Sequence, residues 1–349
     1  MPAGNNRLQS SNREQAMKAQ HHFFYAGLLA ASLQSWSTSA AEVNNVPAVR
    51  VIDLFNAEAA RPVKVHLWYP EGRCAEAQKP CLDAGARKNE VIVLSHGAMG
   101  SADLYNWLGQ GLAAAGWVVA GISHYGESRA YGDAAVDPAS VLRAWQRPED
   151  IGFMLDEFAS NDPFESGLDW RHVTMIGHSS GGQTAAALAG VRLNAAQLLA
   201  YCASAEAEAD LGCGYGQRAQ PTPDALDADL IAANYEDERI EAIVMLDPAL
   251  GPAATVESMR EVDVPVLIIA AQENDFLPFA AHAEHYAAYI PNAKLVALDN
   301  GEGHFVFLDE CGHAVEVQGL SLCRDRTGVD RRKTQSTMLE TILGFITEV

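Results

Sequence analysis

The sequence predicts a protein of the α/β class, with a mostly parallel central sheet that helices cover on both faces. Short apolar runs of strand length alternate along the chain with longer segments of helical pattern. The runs at 91–95, 242–246 and 264–270 are almost wholly apolar, as expected for parallel strands that are buried on both faces. With 349 residues, 48% of them hydrophobic, the chain can bury a large core in one domain.

The elements can be placed in chain order from residue 49 onward. Gly116 and Pro148 mark helix boundaries, because glycine ends helices and proline is favoured in their first turn. An alanine-rich, acidic insertion occupies 194–238. Since no long linker divides the chain, 42–349 is predicted to be one domain without a large cap. We expect strands at 49–55, 63–69, 91–95, 117–123, 173–178, 242–246, 264–270 and 294–298, and helices at 103–115, 148–158, 183–193, 280–289 and 338–346.

Residues 1–41 have the pattern of a secretory signal peptide. A positively charged stretch precedes an apolar run at 23–33, and small residues lead to Ala40 and Ala41, after either of which we expect cleavage. About eleven apolar residues are too few to span a bilayer. Met17 stands where such a segment normally begins. The sequence therefore predicts an exported protein, periplasmic or extracellular; the alternative is an N-terminal extension with a surface helix.

The charge of the chain restricts its partners. A formal net charge of -21 argues against nucleic acid and against an anionic membrane surface. It is typical of a protein that must remain soluble in an external medium. We expect no stable membrane insertion, and the sequence carries no signal of oligomeric state.

Six cysteines lie in stretches typical of loops, as three local pairs. In an exported protein an even number of cysteines indicates disulfides. Pairing of nearest neighbours joins Cys74 to Cys81, Cys202 to Cys213, and Cys311 to Cys323. Six cysteines allow about 15 pairings, and a buried free thiol at Cys202 is an alternative.

A G-x-S-x-G motif is formed by Gly177, Ser179 and Gly181, directly after the apolar strand that begins at Val173. A serine on a sharp strand-to-helix turn holds its hydroxyl clear of the backbone, at the positive end of the helix dipole. Glycines are needed on either side because a Cβ there would clash with neighbouring backbone. The motif predicts Ser179 as a nucleophile; the alternative is a glycine-rich turn with an idle serine.

A serine nucleophile needs a base, which is usually histidine. His304 lies in a glycine-containing loop just after the last apolar strand, where such a base is needed. His282 and His285 lie three residues apart on a predicted helix, and we expect them at the surface because no third metal ligand is evident. His313 lies beyond the loop. The base is therefore predicted to be His304.

Two aspartates compete to orient this histidine. Asp275 follows the strand at 264–270, and Asp247 follows the strand at 242–246. Both stand at carboxyl ends of strands, where partners of Ser179 are expected. We favour Asp275, because the acid more often follows the later strand in folds of this type, and keep Asp247 as the alternative.

An anionic tetrahedral intermediate needs fixed N–H donors. The amide of Ser180, directly after the nucleophile, is one expected donor. The other should come from the loop after the strand at 91–95, where Ala98 is preferred and Met99 is the alternative. No metal ion and no organic cofactor is implied by these residues.

From about Val49 to the C-terminus the chain resembles exported α/β-hydrolases of the predicted dienelactone hydrolase type, close to platelet-activating-factor acetylhydrolases and cutinase-like polyesterases. Two departures matter. Dienelactone hydrolases use a cysteine where this chain has Ser179. The acetylhydrolases take their acid from the earlier strand, which in this chain corresponds to Asp247. The resemblance rests on Leu94-Ser-His-Gly97, Gly116-Trp-Val-Val119, Arg147-Pro-Glu-Asp-Ile151, Gly177-His-Ser-Ser-Gly-Gly182, Asp247-Pro-Ala-Leu-Gly251, Glu273-Asn-Asp275 and Gly303-His-Phe-Val-Phe-Leu308.

These features predict an α/β-hydrolase fold and a serine carboxylesterase that acts on short-chain or polymeric esters through a Ser-His-Asp triad. Two other functions use the same residues or the same fold: cleavage of amides or peptides by the triad, and a non-catalytic binding module. The expected partner is a small-molecule or polymeric ester.

Overall fold

The protein is built around one eight-stranded sheet whose strands follow the order β1-β2-β4-β3-β5-β6-β7-β8. The computed structural model describes residues 47–74, 79–165, 167–218, 227–311 and 315–349. The predicted signal peptide at 1–41 lies outside the described residues. The strands are β1 (Pro47–Asn56), β2 (Arg61–Pro70), β3 (Val91–Ser95), β4 (Val119–Ser123), β5 (Val173–His178), β6 (Ile240–Leu246), β7 (Val266–Ala271) and β8 (Lys294–Leu298).

The sheet is mostly parallel, as the sequence predicts. β1 and β2 pair antiparallel, and β2 pairs antiparallel with β4, whereas every pair from β4 through β8 is parallel. The carboxyl ends of β3, β5, β6, β7 and β8 therefore meet at the same edge of the sheet. A small second sheet pairs β9 (Glu316–Val317) with β10 (Leu320–Ser321).

Nine α-helices in the described residues complete the fold. They are α1 (Asn106–Ala114), α2 (Gln146–Ser160), α3 (Ser180–Leu188), α4 (Ala195–Cys202), α5 (Cys213–Arg218), α6 (Ala228–Ala232), α7 (Val256–Glu261), α8 (Ala283–Tyr289) and α9 (Arg331–Glu348). Helices α4, α5 and α6 all lie in the insertion predicted at 194–238.

Alternate residues of each central strand serve opposite faces of the sheet. In β3, Val91 and Val93 belong to one apolar cluster, and Ile92 and Leu94 belong to the other. The first cluster includes side chains of α2, α3, α7 and α8, and the second includes side chains of α1 and α9. Burial on both faces explains why these strands are continuous apolar runs rather than alternating ones.

The last helix begins at Arg331, seven residues before the apolar stripe that predicted it. Asp330 caps its first turn by accepting a hydrogen bond from the backbone of Lys333. Two polar residues face inward there: Arg331 and Gln335 are buried and donate to backbone carbonyls, including that of Leu308. Hydrophobic periodicity misses this turn because its buried side chains are polar.

All six cysteines form disulfides, in the nearest-neighbour pairing that was preferred from the sequence. The bonds join Cys74 to Cys81, Cys202 to Cys213, and Cys311 to Cys323. The second bond links the end of α4 to the start of α5, and the third closes over the β9–β10 pair. Within the described residues, no helix combines the length and the apolar character needed to cross a bilayer.

The turn from β5 into α3 brings backbones into very close contact. A Cβ on Gly177 would overlap the carbonyl of Gly181, and a Cβ on Gly181 would overlap the carbonyl of Ser95 at the end of β3. Helix α3 can therefore pack against β5 and β3 only because these two positions lack a side chain.

Substituting Gly181→Ala should lower the free energy of unfolding by about 1–3 kcal/mol, because the added methyl group must displace the β3 backbone. Gly344→Ala is the matched control, since Gly344 is exposed within α9 and a Cβ there meets no atom within 4 Å. The control should raise stability by about 0.5–1 kcal/mol. Urea unfolding of both variants measures the difference, and equal effects would contradict the close contact at Gly181.

Candidate active site

The predicted site residues lie together at the edge of the sheet where the carboxyl ends of the parallel strands meet. Residues 96–100, which we call the β3 loop, follow β3, and Ser179 follows β5. Asp247 follows β6, Asp275 comes four residues after β7, and His304 lies in the loop after β8. Gly177 of β5 pairs with Met245 of β6, so the two strands end side by side.

Ser179 has a strained backbone, as a sharp strand-to-helix turn requires. Its φ is 56° and its ψ is −118°, a combination that non-glycine residues rarely adopt. Two hydrogen bonds to the segment after β6 hold it: its N–H donates to Leu246, and its carbonyl accepts from Ala249. The residue is 6% exposed and lines a mostly apolar cavity.

His304 is buried beside Asp247. Its Nδ1 lies 3.2 Å from Oδ2 of Asp247, and its ring stacks on Phe276 with a centroid distance of 5.1 Å. A ring whose Nδ1–H donates to this carboxylate has a free electron pair on Nε2. His304 lines the same cavity as Ser179.

Asp247 is itself held by two hydrogen bonds. One oxygen accepts from the backbone N–H of Ala271 at 2.8 Å, and the other accepts from Nδ2 of Asn274 at 2.8 Å. The amide oxygen of Asn274 accepts from the backbone of Phe276 and Leu277, which orients its NH₂ group toward Asp247. The sequence pattern does not assign a role to Asn274, although it stands between Glu273 and Asp275 in the Glu273-Asn-Asp275 motif.

The preferred acid of the sequence analysis, Asp275, does not contact the imidazole ring in this way. Its Oδ1 accepts from the backbone N–H of His304 at 2.9 Å, and its other oxygen lies 3.4 Å from Arg326. Asp275 thus anchors the loop that carries His304, and the alternative acid, Asp247, lies at the ring. The different positions of the two aspartates have a physical cause: the turn after β7 directs Asn274 inward and leaves Asp275 at its outer side, 25% exposed.

Burial sets the protonation of this pair. Burial lowers the pKa of His304, which favours a neutral imidazole that can accept a proton. Burial raises the pKa of Asp247, and the hydrogen bonds from Ala271 and Asn274 act in the opposite direction. Both hydrogen bonds favour the ionised carboxylate of Asp247 over its protonated form.

The β3 loop packs directly against Ser179. A Cβ on Gly97 would lie 3.3 Å from Cβ of Ser179. Within this loop, the N–H of Gly97 donates to Tyr105, and that of Met99 donates to Glu127. For Ala98, the preferred donor, the described structure shows no acceptor.

Ser180, the other predicted donor, is the first residue of α3. Its N–H is one of the amides that a helix leaves without an intrahelical partner. Within the described structure neither the Ala98 amide nor the Ser180 amide has a protein acceptor, so both can donate to a ligand, whereas the alternative donor, Met99, is already engaged.

His178, which precedes Ser179, connects the β3 loop to the loop of His304. Its Nε2 lies 3.1 Å from the carbonyl of His304, so this nitrogen must donate. Burial lowers the pKa of His178, and in a neutral ring Nδ1 then accepts from the hydroxyl of Tyr105 at 2.8 Å. The Tyr105 oxygen in turn accepts from Gly97 at 2.9 Å. Neither residue was assigned a role from the sequence.

The cavity that Ser179 and His304 line has a volume of about 500 Å³. Most of its lining is apolar, and the insertion supplies much of one side through α4 and α5, including the Cys202–Cys213 disulfide. An exception is a buried pair, Asp210 and His282, with 2.8 Å between Oδ2 and Nε2. The prediction that His282 lies at the surface is wrong, because the residue is only 5% exposed.

A group of metal-binding atom types occurs at the site itself. One atom each from His178, Asp247 and His304 lies within 4.8 Å of the others. Both nitrogens of His178 and both oxygens of Asp247 are already hydrogen-bonded within the protein. A metal ion here would have to break these bonds, so the donor set suits proton transfer better than metal binding.

A protein-family profile agrees with this architecture. The profile of the Alpha/beta hydrolase family matches residues 92–317. Among solved structures, a ferulic acid esterase from Streptomyces cinnamoneus is similar at 20% identity, with 76% of each chain covered and a TM-score of 0.44. No curated protein matches the sequence.

Acidification should destabilise the fold through its buried histidines. Burial lowers the pKa of His96, His124, His178 and His304, so the folded protein keeps these rings neutral. The unfolded chain binds protons near pH 6.5, so this contribution is complete above about pH 6.5 and is lost as the pH falls. Each ring contributes up to about 1.4 kcal/mol per pH unit.

Urea unfolding across the acidic range measures this loss, and NMR of the imidazole rings identifies the groups responsible. His172 is the internal control: it is exposed, and its hydrogen bond to Glu241 raises its pKa, so it should protonate first. Titration of the four buried rings near pH 6.5 in the folded protein would contradict the prediction.

Proposed function

The chain belongs to the alpha/beta hydrolase family, and we propose that it is a serine carboxylesterase whose triad is Ser179, His304 and Asp247. One observation carries the proposal. A serine with a strained backbone lines the same cavity as a buried histidine, and Nδ1 of that histidine lies 3.2 Å from a hydrogen-bonded aspartate. This is the arrangement that nucleophilic catalysis by serine needs.

The reaction proceeds in two halves. His304 Nε2 takes the proton of Ser179 as Oγ bonds to the ester carbonyl carbon, and the amides of Ala98 and Ser180 donate to the resulting oxyanion. His304 then protonates the leaving alcohol, and the acyl group remains on Ser179. Water repeats the sequence on the acyl-enzyme and releases the acid. Asp247 stabilises the imidazolium that forms in each half.

The choice of Asp247 also fits the resemblance noted in the sequence. Among the resembling families, the platelet-activating-factor acetylhydrolases take their acid from the strand directly after the nucleophile, which here is β6. Asp275 then has a different role, because its carboxylate accepts a hydrogen bond from the backbone N–H of His304 at 2.9 Å.

The cavity supports short-chain or polymeric esters as substrates. Its volume of about 500 Å³ is in the range of small-molecule sites. Leu199 of α4 lines the cavity and is nevertheless 62% exposed, so the apolar surface continues to the solvent. An apolar rim of this kind can contact the chain of a polymer that is too large to enter.

Three disulfides support export as well. Disulfides persist in oxidising compartments such as the periplasm and the extracellular space. We therefore propose that the enzyme acts there, as the signal-peptide pattern at 1–41 predicts.

Labelling with a fluorophosphonate probe tests the triad. Ser179→Ala should abolish labelling and hydrolysis of p-nitrophenyl esters. Asp247→Asn should lower kcat by about 10⁴-fold, because the histidine loses the carboxylate that orients its ring. Asp275→Asn is the matched control: its amide oxygen can still accept from His304, so kcat should fall far less.

The outcomes separate the other candidates. A folded wild-type protein that does not react with the probe would favour the non-catalytic binding module. Faster cleavage of p-nitroanilides than of the matching esters would indicate an amidase or peptidase. A larger loss in Asp275→Asn than in Asp247→Asn would reassign the acid.

A series of p-nitrophenyl esters tests the substrate class. The acetate and butyrate esters should have a higher kcat/KM than the palmitate ester, because a long chain exceeds the cavity. A polyester film incubated with the enzyme should release soluble acid, and Ser179→Ala is the control for both assays. Preference for the palmitate ester would contradict the proposal.

A further inference from the structure

Arg147 of α2 and Glu127, four residues after β4, form a buried ion pair behind the β3 loop. Nε and Nη2 of Arg147 donate to the two oxygens of Glu127 at 2.8 Å and 2.7 Å. Each side chain is only 4% exposed. A buried pair of this kind is weak evidence for stability by itself, because two charges must be removed from water. The contacts that the pair makes with its surroundings therefore indicate a role other than stability.

The pair holds the backbone of the β3 loop at two points. Nη1 of Arg147 donates to the carbonyl of His96 at 2.7 Å, and Oε2 of Glu127 accepts from the N–H of Met99 at 3.1 Å. These two backbone groups lie on either side of Gly97 and Ala98. Met99 has a φ of 59°, which a non-glycine residue adopts at a cost, and the bond to Glu127 stabilises this strained conformation of the loop.

A third contact completes the support. The N–H of Gly97 donates to Tyr105, so the His96–Gly97 peptide is held at both its carbonyl and its N–H, and the Ala98–Met99 peptide is held on the other side of the Gly97–Ala98 peptide. Of the amides of Gly97, Ala98 and Met99, only that of Ala98 shows no acceptor within the described structure. The loop is thus fixed in a form that leaves one donor for a ligand.

We propose that the Arg147–Glu127 pair positions the β3 loop so that the Ala98 amide can stabilise the oxyanion; this inference rests on the proposed esterase function. Neither residue lines the cavity, so both act through the loop and not on the substrate. A single oxyanion donor is worth about 10²–10³ in kcat. Misplacement of that donor should therefore lower kcat by about 10- to 100-fold and leave KM for small esters nearly unchanged.

The experiment replaces the pair as a unit. Arg147→Met with Glu127→Leu removes both charges and fills a similar volume, a change that often preserves or improves stability. The folded double variant should show the loss in kcat, and a boronic acid that forms a tetrahedral adduct with Ser179 should bind more weakly by a similar factor. A pair that only stabilises the fold would change neither quantity once the protein is folded.

A second variant tests the proposal if the double variant does not fold. Arg147→Lys keeps the charge, but an ammonium group cannot hold both oxygens of Glu127 and the carbonyl of His96 in the same geometry. It should lower kcat with little change in KM. The matched control is Arg239→Met with Asp237→Leu, which removes a bidentate pair at the amino end of β6, at the opposite edge of the sheet. The control should keep the wild-type kcat.

The wild-type enzyme is measured first. Absence of esterase activity and of fluorophosphonate labelling in the wild type would overturn the proposed function, and this inference with it. An active wild type together with a wild-type kcat in Arg147→Lys, or in the folded double variant, would overturn the inference alone. A similar loss of kcat in the Arg239 control would also overturn it, because the effect would then not be specific to the β3 loop.

Discussion

The close approach of backbones at the end of β5 is the constraint on which the site depends. Gly177, Gly181 and the end of β3 come so near one another that no side chain fits between them. This contact forces Ser179 into a strained conformation at the first turn of α3. It also places the β3 loop beside Ser179, since the same packing joins α3 to β3. This backbone strain costs of the order of 1–3 kcal/mol, and the stability of a sheet whose central strands are buried on both faces offsets it.

Hydrogen bonds hold the other groups of the site in place. Asp275 holds the backbone of His304, and Ala271 together with Asn274 holds the carboxylate of Asp247. His178 and Tyr105 link the loop of His304 to the β3 loop. In a buried site, each of these polar groups would lower the stability of the fold if it had no hydrogen-bond partner. The groups therefore restrain one another, and the ring of His304 has little freedom to move away from Asp247.

The insertion between α3 and β6 contributes much of one side of the apolar cavity. Its helices α4 and α5 line the cavity, and the Cys202–Cys213 disulfide joins them. Asp210 of the insertion pairs with His282 from the segment before α8, so the insertion is attached to the hydrolase core by a buried polar contact. The cavity is thus lined both by the insertion and by the loops that follow the sheet strands.

The sequence by itself determined the class of fold, the eight strands of the main sheet in chain order, the turn at Ser179 and the position of His304. These features depend on local patterns: apolar runs, glycines at fixed spacing, and a loop after the last strand. Local disulfide pairs could also be predicted, because each joins cysteines close in the chain. Only the tertiary structure shows which of the two aspartates, Asp247 or Asp275, lies beside the ring of His304. Both follow buried strands and have the same side chain, and which one reaches the ring depends on how the turns after β6 and β7 direct their side chains in space. The same reason explains why Asn274, Tyr105 and the buried pair of Asp210 and His282 had no sequence signal: their partners are brought together by folding and not by spacing along the chain.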